Sequence, residues 1–79
     1  NIDMQSLDET KNNYIMCIIY SVDKYGISIA DVTTGDFFVT EVDSERKLLD
    51  ELNKFSPSEI ICNEAFYMSG VDISDMSLQ

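Results

Sequence analysis

The chain has 79 residues, which limits it to one domain near the lower size at which a hydrophobic core supports itself without disulfides, metal or a partner. Fifteen acidic and five basic residues give a net charge of -10, so most of its surface would repel nucleic acid. A hydrophobic content of 44% excludes a disordered tail, and no apolar run approaches the roughly 20 residues that span a bilayer.

The first predicted strand follows a segment without regular hydrophobic period, Asn1 to Asn13, which we interpret as an extended approach to the domain. Tyr14 to Tyr20 is continuously apolar, a pattern typical of a strand that is covered on both faces and therefore central in its sheet. Turn chemistry in Asp23-Lys24-Tyr25-Gly26 ends this strand, and Gly26 can adopt the positive φ that a tight reversal often needs.

Two further extended segments meet at a polar turn that contains Gly35. Alternate residues of the first segment share a face by the two-residue period of a strand, with Ile27, Ile29 and Asp31 on one side and Ser28, Ala30 and Val32 on the other. β-branched and aromatic flanks around a polar turn predict a β-hairpin. We interpret Asp31 and Asp36 as acceptors for turn amides and Gly35 as the residue that permits the turn. A divalent-metal pair is the alternative for the two carboxylates.

An amphipathic helix and a short strand follow the hairpin. Asp43-Ser44 is an N-cap signal, and Glu45 places a negative charge in the first helical turn. Pro57 ends the helix. The apolar run Glu59 to Asn63 predicts a strand, whereas the residues from Glu64 onward lose all periodicity and predict a loop. The apolar residues that recur at helical spacing are Leu48, Leu49, Leu52 and Phe55.

These elements predict an α/β fold with the order β-β-β-α-β. The predicted bounds are strands at about 14–22, 26–33 and 36–42, a helix at about 44–55 and a strand at about 59–63. A right-handed crossover places the fourth strand parallel to the first and beside it, after an antiparallel meander of the first three. We expect the outer edge of the fourth strand to be covered by the tail, by a neighbouring molecule or by a second copy, which includes a homodimer through that edge.

The sequence lacks the residues that several kinds of catalytic or binding site need. The chain has no histidine, which excludes His-based triads and His-ligated zinc. Its glycines form no phosphate-binding loop. Cys17 and Cys62 lie in apolar runs and are predicted to be buried, reduced thiols of a cytoplasmic protein, although their place on adjacent strands also permits a disulfide. We expect no catalytic, cofactor-binding or metal-binding residue in this chain.

Three segments occur in an order and spacing that is more specific than any of them alone: Asn12-Asn13-Tyr14, Ala30 to Phe37, and Phe55 to Ile61. Together they resemble the connector domain of the MutS family of DNA mismatch-repair proteins. The resemblance covers about residues 12–66, and residues 1–11 resemble the linker that leaves the mismatch-binding domain. It implies a ribonuclease H-like fold, of which residues 12–79 would form the N-terminal part.

The resemblance also implies a function. The family recognises mispaired or unpaired bases in duplex DNA, hydrolyses ATP in a distant domain, and recruits a MutL-type partner. A connector would be a non-catalytic relay between the mismatch-binding and ATPase parts and would contribute to partner binding. Its partners would be the rest of the chain, the MutL-type protein, and mismatched DNA held by other domains. ATP and magnesium would belong to the parent protein.

Two alternatives to a connector stay open at this point. A truncated ribonuclease H-like nuclease needs a carboxylate cluster on the central strand, and Tyr14 to Tyr20 contains no acid. A free-standing acidic adaptor domain needs only a folded interaction surface. A long reading frame with a Walker motif near its C-terminal end would favour the connector, and a short reading frame would favour the adaptor.

Overall fold

A computed structural model describes residues 13–73. The strands form one mixed sheet in the order β3-β2-β1-β4, in which β1 is antiparallel to β2 and parallel to β4. The α/β class, the central position of the first strand and the parallel fourth strand are therefore confirmed. In chain order the elements are β1 (Tyr14–Ser21), β2 (Lys24–Asp31), β3 (Phe37–Val42), α1 (Glu45–Phe55), β4 (Glu59–Cys62) and α2 (Glu64–Met68).

The reversal between β1 and β2 differs from the prediction. Val22 and Asp23 form a two-residue turn with φ values of 49° and 65°, and β2 begins directly afterwards at Lys24. Positive φ at both positions is the backbone of a type I′ turn, whose twist matches the right-handed twist of the strands that it connects. Gly26 therefore lies inside β2, opposite Ile19, and not at the reversal.

One face of the sheet is buried under both helices. Met16 and Ile18 on β1 and the residues of this face on β2 from Tyr25 onward are at most 7% exposed, and the apolar ones form one cluster with side chains from α1 and α2, whereas Tyr14 and Tyr20 at the two ends of β1 are half-buried against it. Buried apolar surface stabilises a fold by roughly 25 cal/mol per Å², so this layer is the main stabilising contact of the domain. Its buried members are Met16, Ile18, Tyr25, Ile27, Ile29, Leu48, Leu52 and Phe66.

The bounds of α1 follow from its sequence. Ser44 is the N-cap: its backbone is extended, and its Oγ accepts a hydrogen bond from the amide of Lys47 at 3.2 Å. At the other end Ser56 adopts the left-handed conformation and its amide donates to the carbonyl of Leu52 at 2.8 Å. The buried Pro57 follows and cannot continue the helical hydrogen bonds.

A second helix occupies the segment for which the sequence predicted a loop. The helix α2 has only five residues, too few to show a hydrophobic period. Asn63 is its N-cap, and its Oδ1 accepts a hydrogen bond from the amide of Phe66 at 3.1 Å. The ring of Phe66 is 3% exposed and joins the core, so tertiary packing decides the conformation of this segment.

The two cysteines do not meet. In the parallel pairing of β1 with β4, Cys17 lies opposite Ile61, and Cys62 lies opposite Ile18. Successive residues of a strand face opposite sides of the sheet, so the two thiols lie on opposite faces and cannot bond to each other. The prediction of two buried thiols is also wrong, because Cys62 is exposed and Cys17 is only half-buried.

Residues 1–12 and 74–79 are outside the described part, and with them the predicted linker 1–11, the predicted domain start at residue 12 and the end of the tail. Within residues 13–73, no strand pairs with the outer edge of β4. In the same part of the chain, no helix is long and apolar enough to cross a membrane.

Val22 provides a test of the turn. It is β-branched, 88% exposed, and in the left-handed conformation that costs L-residues roughly 1 to 2 kcal/mol. We expect Val22→Asn to raise the free energy of unfolding by about 1 kcal/mol in urea denaturation, since Asn tolerates this conformation. The matched control is Val39→Asn, which removes an exposed valine from a strand without positive φ and should not stabilise the chain.

Candidate functional site

The turn between β2 and β3 is formed around Asp31, Gly35 and Asp36, the residues that the sequence predicts to organise it. Asp31 is 2% exposed, and its Oδ1 accepts hydrogen bonds from the amides of Thr33 at 2.9 Å and Thr34 at 3.3 Å. Gly35 has φ +84°, and its amide donates to the carbonyl of Asp31 at 2.7 Å. A short carboxylate that accepts amides two and three residues later organises a turn in this way.

Asp36 contributes through its backbone and not through its carboxylate. Its amide donates to the Thr34 hydroxyl oxygen at 3.2 Å, and its carbonyl accepts from the amide of Asp31 at 2.8 Å, while the residue itself is exposed. The prediction that both carboxylates accept turn amides therefore holds for Asp31 alone. Within residues 13–73 no group of three or more His, Cys, Asp or Glu side chains could hold a metal ion.

The same turn is hydrogen-bonded to the residue that precedes β1. The side-chain amide of Asn13 donates to the hydroxyl of Thr33 at 3.0 Å, and the amide of Val32 donates to the carbonyl of Asn13 at 3.1 Å. Asn13 is 8% exposed, so these bonds are largely shielded from water. Two of the three segments that resemble the MutS connector are thus in direct contact.

The third segment reaches the same end of the sheet. The amide and the hydroxyl of Ser58 both donate to the carbonyl of Tyr14, at 2.9 and 3.1 Å. The ring of Tyr14 meets the ring of Phe55 edge-on, with centroids 5.1 Å apart. We call this meeting point of the three segments the motif junction, formed by Asn13, Tyr14, Asp31, Thr33, Phe55 and Ser58.

Asn63 holds the other end of β1, whereas the sequence predicted it only as the end of a strand. Its Oδ1 accepts from the amide of Tyr20 and its Nδ2 donates to the carbonyl of Tyr20, both at 3.1 Å. The side chain therefore continues the pairing of β1 where the backbone of β4 ends, and it also caps α2. One sequence signal was present: an Asn directly before an acidic residue is an N-cap pattern.

Within residues 13–73, Tyr25 and Asp43 have shifted pKa values, and both shifts have structural causes. Burial raises the pKa of Tyr25, whose ring stacks on Tyr20 at 4.7 Å, and the nearby Tyr20 adds to the effect. The hydrogen bond that Lys47 donates at 3.1 Å lowers the pKa of Asp43. This ion pair is exposed, so water screens it and it adds little to stability. Neither Tyr25 nor Asp43 is among the turn residues that the sequence indicated as candidates.

The fold and these contacts define a small mixed α/β domain in which the polar network positions turns and strand ends. Over residues 13–79 the sequence matches the protein family described as MutS domain II. The chain belongs to this family. The resemblance inferred from the three segments is thereby confirmed, and the motif junction shows that they are parts of one packed unit.

Curated relatives agree with the family. The chain is 53% identical over 76 residues to the DNA mismatch repair protein MutS of Lachnoclostridium phytofermentans, covering 96% of this chain and 8% of that protein. It is 47% identical over 68 residues to MutS of Acetivibrio thermocellus, covering 82% and 8%. For MutS of Staphylococcus saprophyticus the identity is 39% over 64 residues, covering 81% and 7%. The chain spans less than a tenth of the length of these relatives.

Gly35 tests whether the turn depends on its left-handed residue. A Cβ at this position meets no atom within 4 Å, so the cost of a side chain is conformational and not steric. We expect Gly35→Val to lower the free energy of unfolding by roughly 1 to 3 kcal/mol in chemical denaturation. Gly35→Asn should cost less, because Asn tolerates positive φ. Equal stability of the Val variant and the parent chain would contradict this role.

Asn63 can be tested with a matched asparagine. We expect Asn63→Ala to lower the free energy of unfolding by roughly 1 to 3 kcal/mol, since it leaves the backbone groups of Tyr20 without partners and removes a helix cap. Amide hydrogen exchange should accelerate at Tyr20 and Phe66. Asn53→Ala, on the exposed side of α1, should change stability by less than about 0.5 kcal/mol. Equal effects of the two substitutions would show that the Asn63 bonds are dispensable.

Proposed function

We propose that the chain is the N-terminal part of the connector domain of a mismatch-recognition ATPase in DNA mismatch repair, with a ribonuclease H-like fold. The observation that carries the proposal is the family match over residues 13–79, with relatives that are named as DNA mismatch repair proteins. The order β3-β2-β1-β4 with a parallel crossover supports the ribonuclease H-like part, because it is the arrangement that the resemblance implies.

The proposed role is mechanical and not catalytic. Both ends of β1 are fixed by side-chain hydrogen bonds, at Asn13 and at Asn63, so the sheet and its helices would move as one body. A rigid element that two sites can bias is what a relay between DNA binding and ATP hydrolysis requires. ATP and magnesium would act in another domain, and no residue of this chain is assigned to either.

The proposed partners follow from charge and context. With a net charge of -10, the domain would lie away from the phosphates, and mismatched DNA would be held by other domains of the cytoplasmic parent protein. The rest of the MutS-type chain would be its permanent neighbour, and a MutL-type protein would contact part of its surface.

A chimera tests the proposal. The segment of Lachnoclostridium phytofermentans MutS that matches residues 13–73 is replaced by these residues, and mutation frequency is measured in a host that lacks its own MutS. We expect the chimera to restore mismatch repair and to retain MutL in a pull-down, as the unmodified protein does. In the chimera, Asn63→Ala should weaken the stimulation of ATP hydrolysis by mismatched DNA more than Asn53→Ala does.

Two outcomes would contradict the proposed connector role. A chimera that is folded by circular dichroism and resists limited proteolysis, yet leaves the mutation frequency high, would favour a free-standing adaptor. Cleavage of any nucleic acid by the purified chain with magnesium or manganese would favour the nuclease.

A further inference from the structure

The turn between β1 and β2 holds its first residue in a conformation that its side chain disfavours. Val22 and Asp23 have φ values of 49° and 65°, and asparagine, aspartate and glycine are the usual residues of such a turn. Asp23 fits this preference. Val22 does not, because positive φ brings the Cβ of an L-residue too close to the following carbonyl oxygen, and the branched side chain adds to the crowding.

No packing within residues 13–73 offsets the strain at Val22. Its side chain is 88% exposed, against 45 to 79% for the other exposed large hydrophobic residues of this part of the chain. A single exposed valine is ordinary on a protein surface, whereas a strained residue persists where its surroundings or its function require it. Removal of a valine side chain from water stabilises by at least as much as this strain costs, so a contact outside the described residues would offset it.

The turn presents Val22 on a rigid support. Ser21 and Lys24, on either side of the turn, pair with each other, so the ladder between β1 and β2 extends up to the turn itself. The amide and the carbonyl of Tyr20 are both hydrogen-bonded to the Asn63 side chain, at 3.1 Å. A side chain that is held in place before binding loses little conformational freedom on burial, which favours its use as an anchor.

Two more exposed apolar side chains belong to the helix at this end of the sheet. The ring of Phe66 in α2 meets the ring of Tyr25, two residues beyond the turn, with centroids 6.1 Å apart. The next two residues of this short helix, Tyr67 and Met68, are 79% and 70% exposed. This end of the domain therefore offers apolar contact area around the projecting valine.

A projecting side chain needs a concave apolar partner, and a second copy of the chain is a poor one. Insertion of Val22 into a pocket of another copy would be a head-to-tail contact, which leaves a free turn and a free pocket at the two ends of every assembly. Two copies would also repel each other through their net charges of -10. The described part does contain an apolar pocket of about 350 Å³, lined by Cys62, Phe66, Tyr67, Val71, Asp72 and Ile73.

We propose that Val22 is an apolar anchor that inserts into an apolar pocket on another domain of the longer MutS-type polypeptide, with Tyr67 and Met68 at the margin of the contact. This rests on the proposed function, because the pocket lies in that polypeptide. The chain covers only 8% of its relatives, so most of the polypeptide lies outside it and can supply the pocket. Burial in the whole protein then offsets a strain that the domain by itself leaves uncompensated.

Val22→Cys makes the contact measurable in the chimera. Alkylation of the introduced thiol by iodoacetamide is followed by peptide mass spectrometry, with a urea-denatured sample as the reference. Docking should slow the reaction by roughly tenfold or more relative to that reference, since the thiol then reacts only when the contact opens. The matched control is Asn53→Cys, on the exposed side of α1, which should react within about twofold of its denatured rate.

A comparison of stability with repair separates an anchor from a residue that only forms the turn. Val22→Asn relieves the strain and removes the apolar side chain, so it should stabilise the purified chain against urea and yet raise the mutation frequency of a host that carries the chimera. A residue that only forms the turn would not lose repair on being stabilised. Val22→Ile keeps an apolar side chain and should retain repair. Asp23→Asn, at the neighbouring turn position, removes no apolar contact and should also retain it.

Three results would overturn the proposal. Alkylation of the introduced thiol at the denatured rate in the folded chimera would mean that Val22 stays exposed in the whole protein. Protection that increases with protein concentration would assign the contact to a second copy. Full repair by the Val22→Asn chimera would show that the apolar side chain is dispensable. Protection of the thiol in a chimera that fails to restore repair would instead support the anchor and contradict only the connector role.

Discussion

The structure depends on the pairing of β1 on both of its sides. All eight residues of β1 pair with β2, and four of them also pair with β4, so the strand forms backbone hydrogen bonds in both directions. Met16 and Ile18 from this strand are fully buried under the helices. At its ends, Asn13 and Asn63 add side-chain hydrogen bonds that hold the flanking loops. A disturbance of β1 therefore reaches both hairpins, the crossover and α2.

The motif junction explains why three separated segments identify the family. A short turn motif is common in unrelated hairpins, so the residues around Gly35 carry little information by themselves. In the fold, the Asp31 carboxylate organises that turn, Thr33 of the turn bonds Asn13, and the next residue, Tyr14, accepts two hydrogen bonds from Ser58. The side chains of Asn13, Asp31, Thr33 and Ser58 each take part in a hydrogen bond at this junction, so the three segments support one another. Asp31 thus organises the turn with its carboxylate, whereas Asp36 contributes only through its backbone.

The two faces of the sheet have different consequences. The face under α1 and α2 is a closed core made by the chain itself, and it accounts for the fold. The other face, which we call the open face, has no buried residue within residues 13–73; its charged residues are Lys24, Glu41 and Glu59, and its apolar residues include Ile15, Cys17, Ile19 and Ile61. A domain with one closed and one open face suits a part of a larger assembly, because the closed face keeps the shape while the open face provides contact area.

The sequence by itself determined the order of the main elements, the N-cap of α1 and its end before Pro57, the hairpin at Gly35, the parallel fourth strand and the family. These features rest on local signals: capping residues act within one turn, strand alternation acts between neighbours, and crossovers have one preferred hand. Tertiary structure decided the turn at Val22, the helix α2, the opposite directions of Cys17 and Cys62, and the three hydrogen bonds of the Asn63 side chain. These features depend on strand register and on contacts between residues as far apart as 43 positions, which no local pattern encodes.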